Sequence, residues 1–236
     1  FESTVLHGRA VAYKDCADGI TSISLSNKFL AHRPGPAILR IDIDTKRKGE
    51  VAGLCPERPQ KFLTPEQAEK AFLKVIPEAK GCALLVTDSS SSRIKHGNKM
   101  IKGAGGYRIE IPVTDGTRIP DIIDHIHEAC WAKGYGWAFV DGGGGILYRS
   151  LADEALKKPA QPDYAAPECV DDLCQDRRWL VREGKHLDPA IIKPLSADEK
   201  AAASAAKAEA NFALEKIAAT VRSALRKREK EKAKER

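Results

Sequence analysis

Apolar and polar residues alternate along several stretches of the chain. The clearest stretch is 37–44, in which Ile41 and Ile43 alternate with Asp42 and Asp44. Successive side chains of a β-strand point to opposite faces, so this pattern predicts a strand with one apolar and one acidic face. Comparable runs, bounded by turns rich in Gly, Ser or Asp, predict further strands at residues 82–87, 107–113, 136–140 and 146–149.

Two other stretches have the spacing of amphipathic helices. A helix is predicted over residues 64–75, where Thr64 provides a cap and Pro65 fits the first turn. A second helix is predicted over residues 120–133, with an apolar stripe facing the core and Gly134 as its end. Helices mixed with alternating strands indicate an α+β domain.

The composition changes twice after this domain. Prolines recur along residues 159–195, which indicates an extended covering arm or a linker. From residue 196 the chain is rich in Ala, Glu and Lys, which predicts a long helix. We therefore predict a mixed or antiparallel sheet core with flanking helices over residues 1–158, then the irregular arm 159–195 and a helical tail over 196–236.

The net charge of +6 is concentrated in this tail. Residues 222–236 hold eight bases and three acids, so the rest of the chain is nearly neutral. Bulk charge therefore does not make the globular part a nucleic-acid binder. The basic end either contacts a nucleic-acid backbone or is a solvated helix end, and the sequence leaves both open.

Hydropathy and cysteine usage bear on the compartment. The chain of 236 residues shows no uninterrupted membrane span, so no membrane partner is expected. Its six cysteines lack paired CxxC spacing, which favours a reducing cytoplasm. Cys169 and Cys174 could form half of a structural zinc site, but the sequence offers no second half.

The acidic face of the first strand is the leading candidate for chemistry. Asp42 and Asp44 lie on one face, about 6 to 7 Å apart, and can converge on one cation. Oxygen ligands on a rigid strand suit Mg²⁺ or Mn²⁺, which neutralise and orient the phosphates of a nucleotide. The alternative is an acidic strand end that faces solvent.

Asp153 is the candidate for a third carboxylate, because it follows the predicted strand at residues 146–149. If that strand neighbours the strand of Asp42 and Asp44, three carboxylates could hold two divalent ions and support attack of a hydroxyl on an α-phosphate. The alternative is that Asp153 caps the helix that follows. Arg149 is either a phosphate or template contact or one half of a buried ion pair.

A Ser- and Gly-rich region with nearby bases lies between these acids. Hydroxyls, backbone amides freed by glycines, and basic side chains are the groups that cradle a triphosphate. The candidates for this contact are Ser90, Ser92, Lys102 and Arg108. A flexible surface loop has a similar composition and is the alternative.

Histidines and aromatic residues of the second helix and its end are weaker candidates. His125 and His127 are predicted on the polar side of that helix, where residues two apart do not face each other. Trp131, Tyr135 and Trp137 could stack on bases, although core packing is the more frequent use of such aromatic residues.

The order of these motifs resembles the archaeo-eukaryotic primase (primase-polymerase) superfamily, in particular replication proteins of plasmids, phages and integrative elements. Members carry an Asp-x-Asp strand, a Ser/Gly-rich region that leads to a small-x-His strand, and a final acidic residue after another strand. Residues 41–44, 89–92 with 105–109, and 147–153 are similar to these three motifs in turn. The likeness covers residues 30–160, and a looser one continues to the tail.

The resemblance implies a DNA primase or primase-polymerase, a template-dependent nucleotidyl transferase that uses nucleoside triphosphates and a single-stranded DNA template. Asp42, Asp44 and Asp153 would then hold Mg²⁺ or Mn²⁺, and a helicase domain of the same full-length protein could follow the tail. Arg108 replaces the usual histidine, and a guanidinium can supply its charge but not proton transfer. The alternatives are a catalytically degenerate module that binds DNA or a replication partner, and a metal-dependent phosphodiesterase.

Overall fold

Most of the described sheets and helices follow residue 30. The computed structural model describes residues 3–5, 21–23, 30–44, 64–90, 92–161 and 172–234, with the backbone alone for 3–5, 21–23 and 44. The strands are β1 (Ser3–Val5), β2 (Thr21–Ile23), β3 (Ala37–Asp44), β4 (Leu84–Asp88), β5 (Ile94–His96), β6 (Lys99–Lys102), β7 (Gly106–Val113), β8 (Trp137–Val140), β9 (Ile146–Arg149), β10 (Leu173–Gln175) and β11 (Trp179–Arg182). The α-helices are α1 (Pro65–Val75), α2 (Ile119–Ala132) and α3 (Ala197–Lys234). Short 3-10 helices occupy Pro77–Ala79, Gly116–Arg118, Glu154–Lys157 and Pro189–Ile191.

Four strands form the main sheet, in the order β11-β4-β7-β3, and all its neighbours are antiparallel. A three-stranded sheet has the order β10-β5-β6, β8 pairs with β9, and β1 pairs with β2 in parallel. The chain is therefore α+β with antiparallel sheets and a long C-terminal helix, which confirms the predicted class. The segment 159–195, predicted as an arm or linker, contributes β10 and also the edge strand β11 of the main sheet.

Strands β3, β4 and β7 of the main sheet turn their buried apolar side chains to the same face. On β3 the side chains of Leu39 and Ile41 are fully buried, and on β7 so are those of Ile109 and Ile111. Helices α1 and α2 supply the rest of this core from the same side, for example through Phe72. Burial of each such side chain contributes about 1.5 to 3 kcal/mol, so this face fixes the orientation of the strands.

The two helices on this face begin and end at the predicted signals. Gln67 N–H donates to Thr64 Oγ1, and Thr64 N–H donates to Gln67 Oε1, both over 3.3 Å, so a full capping box starts α1. Gly134 follows α2 with a φ of 76°, a left-handed conformation that costs glycine little. The predicted helices, and the strands expected from alternation, lie within two residues of their expected bounds.

A second core joins α3 to α2 and to the β8–β9 pair. Ala203, Leu214 and Ala218 of α3 are buried against Trp131 and Val140. Beyond this contact the helix continues as an exposed, basic end over residues 226–234. None of the described helices is long and apolar enough to cross a membrane.

Candidate functional site

The acidic motif on β3 lies directly beside the arginine of β7. Asp42 is the register partner of Arg108, and Asp44 is the partner of Gly106. Arg108 Nε lies 3.0 Å from Asp42 Oδ1. The Arg108 side chain is 10% exposed and that of Asp42 is 36% exposed. The pair lies on the sheet face opposite to α1 and α2, since the alternating neighbours Ile41 and Ile43 point into the core.

Asp44 continues the same strand, and its side chain lies outside the described part of the structure. Its backbone pairs with Gly106, so the strand is extended through both acidic positions. Strand β3 therefore runs through both acidic positions, and a shared face for the two carboxylates stays a prediction.

The serine loop, residues 89–92 after β4, is attached to the start of β7. Ser92 is fully buried, and its Oγ accepts from Gly105 N–H over 2.9 Å and from Gly106 N–H over 3.3 Å. The Oγ atoms of Ser89 and Ser92 are 2.8 Å apart, and Ser89 N–H donates to Gly106 O. These two glycine amides were expected to be free for a phosphate, but the Ser92 hydroxyl occupies both.

Gln175 holds the serine loop from the other side. Its Nε2 donates to Ser90 O over 2.9 Å and to Ser92 O over 2.7 Å. Ser90 is half-buried, while Ser91 lies outside the described residues. These hydrogen bonds hold the described residues of the loop next to the start of β7, the strand that carries Arg108. Gln175 was not predicted from the sequence, since nothing local to residue 175 shows that β10 pairs with β5.

A buried carboxylate, Asp88, ties the serine loop to β11. Arg178 donates from its backbone N–H to Asp88 Oδ2 over 2.8 Å, and from its guanidinium Nη2 to Oδ1 over 3.4 Å. Arg93 Nε lies 3.2 Å from Oδ2 as an ion pair without the alignment of a hydrogen bond. Two guanidinium groups therefore balance this fully buried charge, and Asp88 serves the structure of the loop.

Tyr107 completes this group on the core side of β7. Arg178 Nη2 donates to the Tyr107 hydroxyl over 2.6 Å, and the guanidinium lies 5.9 Å from the centre of the Tyr107 ring. Burial raises the pKa of Tyr107, and the Arg178 charge offsets part of this effect. Neither Asp88 nor Arg178 was singled out from the sequence. The run of polar residues around Asp88 was the only signal, and it also describes an ordinary loop.

Lys102 ends β6 at the base of the β5–β6 hairpin, opposite Ile94. It is half-buried, and no carboxylate in the described part of the chain pairs with it. Gly103, its neighbour, accepts a hydrogen bond from Arg93 N–H over 2.9 Å. This bond fixes the hairpin base beside the serine loop. The structure therefore brings Lys102 to the same end of the main sheet as Ser90, Ser92 and Arg108.

Asp153 reaches the main sheet by a different route from the one predicted. The strand before it, β9, pairs with β8 in a separate two-stranded sheet and not with β3. The segment after β9 nevertheless packs on the main core, because Leu151 and Ala152 are buried in the cluster that contains Ile41 and Ile43. The following helix, Glu154–Lys157, contacts β3.

The Asp153 carboxylate has two contacts in its own segment. Oδ1 accepts from Ala155 N–H over 3.1 Å and so caps the short helix, as the alternative expectation had it. Arg149 Nη1 lies 3.5 Å from the same oxygen, and both side chains are about two-fifths exposed. The Arg149 guanidinium also lies 5.8 Å from the centre of the Phe139 ring. Asp153 and Arg149 thus form a surface ion pair whose oxygens solvent and ligands can reach.

His127 and Ser150 fix the segment that carries Asp153. The prediction that His127 lies on the polar side of α2 is wrong, since this residue is buried. His127 Nδ1 lies 3.2 Å from Ser150 Oγ, which donates to Ala152 O and accepts from Ala152 N–H. Because α3 and the short helix Glu154–Lys157 pack against α2, the face of the helix that appeared polar is covered. Trp131 and Tyr135, by contrast, are core residues, and core packing is the more frequent use of such aromatic residues.

No group of three or more His, Cys, Asp or Glu side chains that could hold a metal occurs among the described residues, which exclude the Asp44 side chain. Cys169 likewise lies outside the described residues, and Cys174 is exposed. Asp42 fits Mg²⁺ or Mn²⁺ by its donor type, because it offers a partly exposed carboxylate on a rigid strand. Comparison of this chain with protein-family models, with curated proteins and with solved structures gives no match.

The buried hydroxyl of Ser92 predicts a large stability difference between two neighbouring serines. Ser92→Ala leaves the amides of Gly105 and Gly106 without their acceptor, and we expect it to lower the free energy of unfolding by about 1 to 3 kcal/mol. Ser90→Ala is the matched control, with an expected change of about 0.5 kcal/mol or less. Urea unfolding of the three proteins measures both effects. Equal effects of the two substitutions would contradict the assigned role of Ser92.

The burial of His127 predicts a loss of stability in mild acid. Burial lowers the pKa of His127 from its ordinary value of 6.5, so the unfolded chain binds a proton at a higher pH than the folded chain does. The free energy of unfolding should therefore fall as the pH drops below about 6.5. Burial also lowers the pKa of His125, which adds to this slope. His127→Asn should flatten the dependence between about pH 7 and pH 5. Urea unfolding midpoints of both proteins across this pH range measure the dependence. An unchanged slope in His127→Asn would contradict the role assigned to His127.

Proposed function

We propose that this chain is a metal-dependent, template-dependent nucleotidyl transferase of the DNA primase or primase-polymerase type, acting in the replication of a mobile element. The supporting observation is that three segments far apart in the chain meet at one end of the main sheet. Asp42 pairs with Arg108, and the serine loop is bonded to Gly105 and Gly106 at the start of the Arg108 strand. Carboxylates such as Asp42 and Asp44, beside hydrogen-bonded serine hydroxyls and basic side chains, suit a nucleoside triphosphate with its divalent ion.

In this proposal Asp42, Asp44 and Asp153 would hold Mg²⁺ or Mn²⁺. The bound ions would lower the pKa of the attacking 3′-hydroxyl and stabilise the charge on the α-phosphate. The hydroxyl oxygen would form a bond to the α-phosphorus as its proton passes to water, and the bond from that phosphorus to the pyrophosphate oxygen would break, so that pyrophosphate leaves. The protein holds the reacting groups at a rigid strand, which limits the reorganisation that the reaction needs.

Lys102, Arg108 and the serine loop seat the triphosphate in the same proposal. Arg108 is charged at all working pH values and offers several N–H donors in a fixed plane, which suits phosphate oxygens. Its bond to Asp42 orients the guanidinium before a nucleotide arrives. Because Ser92 is committed to the glycine amides, its contribution is to position the loop. Ser90 and Lys102 remain the candidates for direct contact.

The second candidate function is a degenerate module of the same type that binds DNA or a replication partner without catalysis. The observation that favours it is the ion pair between Arg108 and Asp42, at the position where the resemblance implies a histidine. A permanently charged guanidinium beside Asp42 competes with a cation for that carboxylate. Catalysis therefore requires that a bound ion and its phosphates replace this contact.

Primer-free synthesis on single-stranded DNA tests the transferase directly. With Mn²⁺ or Mg²⁺ the parent chain should incorporate labelled nucleotide, and the double variant Asp42→Ala plus Asp44→Ala should lose about three orders of magnitude in rate. The reason is that the ions' stabilisation of transition-state charge is worth several kcal/mol. The matched control, Asp121→Ala plus Asp198→Ala, removes two exposed carboxylates elsewhere and should retain the parent rate.

Other outcomes of this assay identify the rival functions. No incorporation at any metal concentration, with retained DNA binding, would support the binding module. Degradation of the oligonucleotide without extension would support a metal-dependent phosphodiesterase.

Asp153→Asn separates the role of Asp153 as a helix cap from its role as a metal ligand in the same assay. Asn caps a helix about as well as Asp but is a much poorer ligand for the ion.

Arg108 gives an independent prediction for nucleotide binding. Arg108→Ala should weaken the affinity for a nucleoside triphosphate about ten-fold or more, because a hydrogen bond to a charged group contributes about 1.5 to 3 kcal/mol. Arg108→Lys should retain part of the affinity through its charge. Arg118→Ala, which removes an exposed arginine paired with Asp121, is the control. Equilibrium binding of a labelled nucleotide gives the affinities of the parent and the three variants. An unchanged affinity in Arg108→Ala would rule out a triphosphate contact by Arg108.

A further inference from the structure

The main sheet has one face that the helices do not cover. Helices α1 and α2 pack on the apolar face, and the opposite face carries large apolar side chains that remain exposed. Trp179 is 70% exposed and Val181 is 61% exposed, both on β11, while Ile38 on β3 is 52% exposed. We call this surface, defined by Trp179, Val181, Ile38 and Asp42, the open face; the Arg108 side chain lies on the same side of the sheet and is 10% exposed.

The strand register aligns Trp179 with the candidate site. Trp179 is the partner of Thr87, Thr87 is the partner of Arg108, and Arg108 is the partner of Asp42. One row of side chains therefore crosses the whole sheet from the tryptophan to the acid. Neighbouring strands lie about 4.8 Å apart, so the row spans about 14 Å. The opposite orientation of Leu180, which packs on the core, confirms that Trp179 points to the open face.

This arrangement has the chemistry of a stacking platform. A four-stranded antiparallel sheet, with helices on one face and an exposed aromatic residue on the other, can receive the unpaired bases of a single strand. An indole ring stacks on any base, because every base has a π-face, so such a contact tolerates all sequences. That tolerance is what a template site requires.

Basic residues of the segment 92–108 lie near the start of β11, because Arg93 and Arg178 both contact Asp88. Residues 92–108 contain five bases and no acids: Arg93, Lys95, Lys99, Lys102 and Arg108. The hairpin in this segment pairs with β10, which leads within four residues to Trp179. Acids balance Arg93, Lys95 and Arg108, but in the described part of the chain no carboxylate pairs with Lys99 or Lys102. The region beside the open face therefore attracts a polyanion.

We infer that a single-stranded nucleic acid lies across the open face, with one base stacked on Trp179 and its backbone near the β5–β6 hairpin. The inference rests on the proposed function, in which this strand is the template that leads to the Asp42–Arg108 pair. Trp179 is the tryptophan suited to this role, since Trp131 is buried and packs edge-to-face on Tyr148 at 5.6 Å.

Binding of an oligo-dT strand in the presence of a chelator tests the inference without catalysis. Trp179→Ala should raise the dissociation constant about ten-fold, since stacking on one aromatic side chain contributes in this range. Trp179→Phe should retain most of the affinity, because a phenyl ring still stacks. Phe212→Ala is the matched control, as Phe212 is an 88% exposed aromatic residue on α3, far from the row. It should bind as the parent does.

Three results would overturn the inference. The first is parental affinity in Trp179→Ala. The second is an equal loss in Phe212→Ala, which would indicate a general effect of exposed aromatic residues. The third is a dimer, seen by sedimentation, that Trp179→Ala dissolves, since the open face would then bind a second copy. Duplex DNA gives a further check, because its bases are already stacked and its affinity should not depend on Trp179.

The binding assay and the synthesis assay test the two proposals independently, so one proposal can be wrong while the other holds. If Asp42→Ala plus Asp44→Ala abolishes synthesis while Trp179→Ala binds oligo-dT normally, the transferase stands and the stacking site is wrong. If no synthesis occurs but binding depends on Trp179, the nucleic-acid site stands as that of a binding module. In the event that both hold, Trp179→Ala should also slow synthesis at low template concentration, and excess template should restore the rate.

Discussion

The pairing of β3 with β7 is the constraint on which the candidate site depends. The two strands match over eight residues, from Ala37 opposite Val113 to Asp44 opposite Gly106. A shift of one residue would turn Ile41 to solvent and Asp42 into the core, and burial of an unpaired carboxylate costs far more than the exposure of one isoleucine. The apolar face therefore fixes the register. The register in turn places Asp42 beside Arg108, on the sheet face opposite to helices α1 and α2.

Polar groups buried at the end of this sheet determine how the serine loop is held. Ser92, Gln175 and Asp88 each bond to a segment distant in sequence, and together they join β4, β7 and the strand that leads to β11. A buried network of polar side chains destabilises the fold strongly when some of its hydrogen bonds are missing. The three residues therefore depend on one another. This explains why the loop beside Asp42 is ordered although its composition is that of a flexible turn. A site for phosphate needs this order, because donors that are already placed lose little entropy on binding.

Two cores support two parts of the molecule. The main core holds the sheet and reaches the segment of Asp153 through Leu151 and Ala152. The second core attaches α3 to α2 and to the β8–β9 pair, and it leaves the basic end of α3 exposed. Asp153 lies where these two parts join, because β9 belongs to the second sheet and the residues after it pack on the first. The position of the third acid therefore depends on how the two parts pack, and His127 with Ser150 fixes the connection.

The sequence by itself determined the elements whose signals are local. Alternation along residues 37–44 gave β3 and its two faces, and Thr64 with Gln67 gave the start of α1. Local patterns suffice there, because the period of the side chains and the capping bonds involve near neighbours only. Only the tertiary structure decided which strands are adjacent. It paired β9 with β8, brought β11 from the expected linker to the edge of the main sheet, and buried His127 of α2. These outcomes depend on contacts between residues far apart in the chain, whose energies no local pattern records.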